Sequence, residues 1–171
     1  MTRLLFAAIL CLVLASATQA EAKKAFNLNP VDCAEGFAIS SKHVGAVAPD
    51  SWELKISGQT PMLSSQSGKA VVTFILDRKA AKPTGIIVVA PNVVGEKKDT
   101  AAQVSSIMAM NAVVGMTSQL AAQQRMDLVA KLVEKASGGN EARLDAGQVA
   151  YTLSMAGGTL MFMATPADNV K

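Results

Sequence analysis

The feature that most constrains the fold is a pair of glycines near the C-terminus. Gly157-Gly158 separates two largely apolar runs, Gln148 to Met155 and Thr159 to Thr165. Two glycines tolerate positive φ at both centres of a two-residue hairpin turn, so the turn sets the register of the flanking strands. On one face this register pairs Leu153 with Phe162, Met155 with Leu160, and Tyr151 with Ala164. The other face carries Ala150, Thr152, Ser154, Met161 and Met163. Because turn and apolar pattern agree, we predict a C-terminal β-hairpin.

Earlier segments also have strand periodicity. Residues 52–57 alternate apolar and polar side chains, which predicts a half-buried antiparallel strand, and Gly58 to Pro61 is turn material. Ala70 to Leu76 and Gly85 to Ala90 are rich in β-branched residues and apolar on both faces, which is typical of central strands. Gly36 to Ser40 predicts one further short strand.

Residues 100–137 change to helical character. Thr100 and Gln103 have capping-box spacing, and Gly138-Gly139 supplies a stop. A single helix of roughly 38 residues would be about 57 Å long, whereas a domain of this size is roughly 40 Å across. We therefore favour two helices, or one kinked helix, with the break at Gly115–Ser118.

The order of strands, then helix, then hairpin predicts an α+β fold. We expect a mostly antiparallel sheet of about five to six strands, with two helices or one kinked long helix packed on one face. The predicted organisation is a cleavable signal peptide (1–20), a flexible N-terminal segment (21–32), one globular domain (33–166) and a short tail (167–171).

The first twenty residues are typical of a secretory signal peptide. Arg3 precedes an unbroken apolar run from Leu4 to Leu14, which is shorter than the ~20 residues of a bilayer span. Small residues follow, and we expect cleavage after Thr18-Gln19-Ala20, or secondarily after Ala15-Ser16-Ala17. An uncleaved membrane anchor is the less favoured alternative. We predict a secreted or periplasmic protein, with a bacterial envelope favoured because the chain has no Asn-x-Ser/Thr sequon.

Loss of the leader changes the composition of the mature chain. The full chain has 16 Lys and Arg against 13 Asp and Glu, and Arg3 leaves with the leader, so the mature charge is close to neutral. Cys11 also leaves, and Cys33 then has no intramolecular partner. We expect no intramolecular disulfide, with Cys33 either a buried inert thiol or a reactive or intermolecular one.

No constellation of residues for catalysis stands out, and we assign no catalytic residue. His43 is the only imidazole, and a Cys33/His43 pair is conceivable but not demanded by the spacing. The acidic residues lie mostly beside Lys or Arg, in turns or at element ends, without a pair that suggests a buried acid.

Cofactor and nucleic-acid motifs are not found. Gly68-Lys69-Ala70 lacks the rest of a phosphate-binding loop, and one Cys with one His is too few for zinc. The basic clusters at 78–82 and at Lys97-Lys98 flank a predicted strand at opposite ends, so we expect no nucleic-acid surface. We assign no cofactor.

Methionine is abundant, and thioethers can bind Cu(I). Met161 and Met163 are two apart on a strand and share a face, whereas Met108 and Met110 on a helix cannot chelate together. A third ligand is not identified, so we favour packing and assign no metal site.

An apolar stripe at intervals of seven runs through the helical region: Ile107, Val114, Ala121 and Leu128. We expect it to cover the domain's own sheet, with oligomerisation as the alternative.

Three functional hypotheses remain. The leading one is an exported, non-catalytic binding or interaction protein of the cell envelope, whose partner is an envelope protein, a second copy or a small apolar ligand. The alternatives are a small exported enzyme using carboxylates or Cys33, and a soft-metal Cu(I) carrier.

Overall fold

The computed structural model describes residues 24–95 and 98–167, so the predicted leader lies outside the described residues, as does the C-terminal tail after residue 167. Its helices are α1 (Pro30–Val44), α2 (Thr100–Thr117) and α3 (Ala122–Ala136). Its strands are β1 (Glu53–Ser57), β2 (Thr60–Ser67), β3 (Ala70–Leu76), β4 (Pro83–Ala90), β5 (Ala142–Ala146), β6 (Val149–Ala156) and β7 (Thr159–Pro166).

All the strands form one antiparallel sheet in the order β1-β2-β3-β4-β7-β6-β5. The α+β class is therefore confirmed. The expected count of five to six strands and two helices is wrong, because residues 24–95 and 98–167 alone contain seven strands and three helices.

The helices form a layer over one face of the sheet. α2 packs on the central strands and α3 on β5 and β6, while α1 packs beside α2. The core lies between the two layers and contains Phe74, Ile86, Tyr151 and Phe162, all fully buried. Trp52 joins α1 to this core, since its ring lies 6.0 Å from that of Phe37 and 5.2 Å from that of Phe74.

The predicted strand at residues 36–40 is wrong, because this segment belongs to α1. The Asn29 side chain accepts hydrogen bonds from the backbone N–H groups of Val31 and Asp32, and Asp32 accepts from the Asn29 N–H. This reciprocal cap, with Pro30 in the first turn, starts the helix inside the segment predicted to be flexible. Gly45, with φ 74°, ends it.

Two strands are missing from the sequence prediction. β2 is rich in serine and threonine, and its pairing with β3 rather than its own pattern makes it a strand. β5 is a short edge strand. The predicted strand at residues 52–57 is present as β1, but it is exposed throughout rather than half-buried, because it lies at the other edge of the sheet.

The helical region divides into two helices, as favoured, but the break lies later than the predicted Gly115–Ser118: α2 runs through Gly115 to Thr117, and α3 begins at Ala122. The predicted cap at Thr100 is wrong, because the Asp99 carboxylate accepts from the N–H groups of Ala101 and Ala102. Gln103 instead donates to the carbonyl of Val93.

The C-terminal hairpin has the predicted register. Leu153 pairs with Phe162, Met155 with Leu160, and Tyr151 with Ala164. Gly157 and Gly158 have φ of 56° and 81°, which is why glycine occupies both turn positions.

Candidate functional site

The sheet has a second face, opposite the helices, which we call the open face. On this face, residues that pair directly across neighbouring strands form three rows that run across the sheet. We name each row after one of its residues. The arginine row is Glu53, Ser64, Thr73, Ile87, Met163, Thr152 and Arg143. The lysine row is Lys55, Met62, Ile75, Gly85, Thr165, Ala150 and Asp145. The glutamine row is Gln66, Val71, Val89, Met161 and Ser154.

No charged side chain lies in these rows on the five inner strands. Val71 is 42% exposed and Met161 is 47% exposed, and Ile75, Ile87 and Met163 are half-buried beside them. An antiparallel sheet usually presents a polar surface on its solvated side. An apolar, uncharged centre on this side is therefore a mark of an interaction surface.

Charge on the open face is confined to the two edge strands. On β1, the Lys55 Nζ lies 2.8 Å from a carboxylate oxygen of Glu53, and on β5 the Arg143 Nε lies 3.1 Å from Asp145. The hydrogen bond and the positive charge of Lys55 lower the pKa of Glu53. Each row that reaches both edges therefore ends in one acidic and one basic residue.

A separate neutral cleft of about 590 Å³ lies between the α2–α3 link and the β5–β6 turn. Met116, Leu120 and Val149 supply apolar walls, and Ser118 and Gln148 supply polar groups. Its volume suits a small neutral ligand.

Cys33 is a buried free thiol in α1. Burial, and secondarily the charge of Asp32, raises its pKa to about 12. The thiolate is the nucleophilic form, so this thiol is inert at neutral pH.

The conceivable Cys33/His43 pair does not form. Both residues lie on α1, ten positions apart, which separates them by about 15 Å along the helix axis. His43 is at the helix surface, with Nδ1 2.9 Å from the carbonyl oxygen of Ile39.

Two carboxylates, Asp127 and Asp145, line a shallow cleft of about 330 Å³ beside α3. Both are exposed; Asp127 accepts a hydrogen bond from Gln123, and Asp145 is engaged by Arg143. A buried general acid lies in a desolvated pocket, whereas both of these carboxylates are exposed to solvent. The cleft therefore gives the enzyme hypothesis little support.

Met161 and Met163 share the open face, as predicted. Their cross-strand neighbours are Val89 and Ile87 on β4 and Ser154 and Thr152 on β6, none of which is a soft ligand. Met62 is three strands away, roughly 14 Å at the usual strand spacing. Within the described residues, no group of three or more His, Cys, Asp or Glu side chains forms a metal-binding cluster.

The helical stripe is only partly as predicted. Val114 is buried and Leu128 is nearly so, which matches a face that covers the sheet. Ile107 is 42% exposed and Ala121 lies in the link between the helices, so the stripe is not continuous.

The basic residues at 78 and 79 lie in the β3–β4 turn, whereas Lys98 follows the opposite end of β4. The intervening strand is about 26 Å long. Lys97 lies outside the described residues.

The open face was not recognised from sequence as a single surface, although its signal was present. β3 and β4 are apolar on both faces, and the outer side of the hairpin carries two methionines. These segments form one surface only because β4 pairs with β7, and the two strands are far apart in the sequence.

No protein-family model, curated protein or solved structure matches the chain. Within the described residues, no helix is both long and apolar enough to cross a membrane.

Proposed function

We propose that this protein is an exported, non-catalytic interaction protein of the cell envelope, and that it binds a protein partner through the open face. The observation that carries the proposal is the uncharged centre of that face, with Val71 and Met161 both more than 40% exposed. Removing such apolar surface from water favours association.

A protein partner suits this surface better than a small ligand. Small molecules bind in concave sites that enclose most of their surface. The open face has a cavity of about 400 Å³ at its β1–β3 end, lined largely by polar and charged residues such as Glu53, Lys55 and Gln66, and its apolar centre is a broad, paired sheet surface. The neutral cleft near Leu120 is the second candidate, for a small apolar ligand.

Site-specific photocrosslinking tests the proposal. A benzophenone amino acid replaces Met161 in the exporting cell, and Met126, 57% exposed on α3, is replaced as a matched control. We expect a discrete protein adduct from position 161 and none from position 126, identified by mass spectrometry. Failure to obtain any adduct from position 161 would count against the open face as a binding surface.

Export is tested on the same samples. We expect the protein in the envelope or secreted fraction, with N-terminal sequencing starting at Glu21. Retention of the apolar run Leu4–Leu14 on the mature protein would contradict a cleaved leader.

A further inference from the structure

We infer that the occupant of the open face is a second copy of this chain, packed face to face about a two-fold axis parallel to β4. This inference rests on the proposed function and names its partner. The axis places β4 over β4, β3 over β7, β2 over β6 and β1 over β5 of the second copy.

The charges at the two edges complement each other in this arrangement. Rotation about an axis parallel to the strands leaves each row at the same position along the strand direction and exchanges the two ends of the row. Glu53 therefore lies over Arg143 of the second copy, and Lys55 lies over Asp145 of the second copy. The same contacts recur at the opposite edge, so the uncharged centre is bordered on both sides by attractive pairs.

Side-chain size is also complementary. In the lysine row, Met62 on β2 lies over Ala150 on β6 of the second copy, and Ile75 lies over Thr165. Ala150 carries only a methyl group and is fully covered by its neighbours, so Met62 of the second copy would rest on those neighbours rather than on a second long side chain. Large side chains opposite small ones allow two sheets to approach the usual spacing of about 10 Å.

The area is sufficient for a stable dimer. Seven strands at about 4.8 Å span roughly 34 Å, and three rows extend about 20 Å along the strands. The two copies together would bury on the order of 1,300 Å², which lies in the standard range of about 1,200–2,000 Å² for specific interfaces.

A two-fold axis perpendicular to the strands is less favourable. To place Glu53 over Lys55, it must run between the arginine and lysine rows, which leaves the glutamine row without a partner. If it runs through the arginine row instead, Glu53 lies over Glu53 and Arg143 over Arg143. Only the axis along β4 pairs all the charges and all three rows.

The experiment measures the mass of the mature protein across a concentration series by sedimentation and light scattering. We expect a dimer that Met161→Lys converts to a monomer, while Met126→Lys remains dimeric. Circular dichroism and thermal unfolding serve as controls that each variant keeps the folded sheet.

Charge inversion tests the orientation without introducing charge at the centre. Glu53→Lys with Lys55→Glu should weaken the dimer by about tenfold to a hundredfold, because each edge then brings like charges together. Adding Arg143→Asp and Asp145→Arg should restore it. A perpendicular axis would leave the first variant unaffected, which would overturn the proposed orientation.

Other outcomes separate this inference from the proposed function. A monomeric protein whose position 161 crosslinks to a different protein would overturn the second copy but retain the binding surface. A crosslink from position 161 to residues 1–23 or 168–171 of its own chain would overturn both. A dimer that survives Met161→Lys would place the contact elsewhere, for example at the β1 edge, and would also overturn the inference.

Discussion

Tyr151 and Thr117 join the sheet to the helix layer through a hydrogen bond of 2.9 Å between their hydroxyl oxygens. The Thr117 hydroxyl also lies 2.7 Å from the carbonyl oxygen of Val113, to which it donates. In the bond with Tyr151, the Thr117 oxygen is therefore the acceptor and the Tyr151 hydroxyl is the donor. Tyr151 is fully buried, and this burial raises its pKa. The bond thus gives a buried phenol its partner at the point where α2 ends.

Tyr151→Phe should lower the free energy of unfolding by about 1 kcal/mol, because one buried hydrogen bond is lost and the ring is kept. Urea unfolding at pH 7 measures the change. Thr117→Ser keeps the accepting hydroxyl and should retain most of the stability. Equal losses in the two variants would contradict the assigned roles.

Cys33 should resist alkylation in the folded mature protein at pH 8 and react once urea unfolds it, because its pKa is about 12 in the fold. Mass spectrometry after iodoacetamide treatment gives the extent of labelling. A Cys33→Ala/Met126→Cys variant, with the thiol at an exposed position, should react without urea. Rapid labelling of folded wild type would revive the reactive-thiol hypothesis.

Stability should fall in alkaline solution. The pKa of Cys33 rises from an ordinary value of 9.0 to about 12 on folding, so the unfolded chain loses its proton first. The contribution is fully present below pH 9 and is lost as pH rises towards 12. Unfolding series at pH 8 and pH 11 should show a smaller decline for Cys33→Ala than for wild type; parallel declines would be inconsistent with the raised pKa.

Two helical glycines should respond oppositely to alanine. A Cβ at Gly36 would lie 3.6 Å from the Met116 Cε, an ordinary contact, so Gly36→Ala should stabilise by about 0.5–1 kcal/mol. A Cβ at Gly115 would lie 2.6 Å from Arg125 Nη1 and 2.7 Å from Ser40 Oγ. Gly115→Ala should therefore destabilise, and thermal unfolding gives the sign; a gain at both positions would show that Arg125 and Ser40 move aside freely.

Ala81→Gly should stabilise the β3–β4 turn. Ala81 has φ 52°, in the left-handed region that costs a residue with a Cβ roughly 1 kcal/mol or more. Ala80 lacks a positive φ, so Ala80→Gly is the matched control and should be neutral or destabilising. Denaturant midpoints of the two variants compare them directly, and the same sign for both would argue against backbone strain at Ala81.

The parts of the fold that could be predicted are those with local causes. The register around Gly157 and Gly158 follows from turn chemistry two residues long, and the break after Thr117 follows from helix length and weak helix formers. α1 was missed although Asn29-Pro30 is a local start signal, because Phe37 and Ile39 alternate as they would in a strand. β2 has no such local signal, and it is a strand because it pairs with β1 and β3 on either side.

The candidate surface needed information that no local pattern contains. Glu53 and Arg143 lie in one row only because β4 pairs with β7, and these strands are separated in the chain by two helices and two other strands. The sequence predicts that Met161 and Met163 share one face of a strand, but it does not predict which strand pairs beside them.

The strand order has a consequence for the chain as it leaves the ribosome. β1–β4 pair in sequence, as do β5–β7, so the two meanders meet only where β4 joins β7. Until the last strand has been synthesised, β4 is an unpaired edge with valine and isoleucine on both sides. Such an edge readily templates intermolecular β-aggregation. Pairing with β7 therefore completes the sheet and removes this edge in the same step.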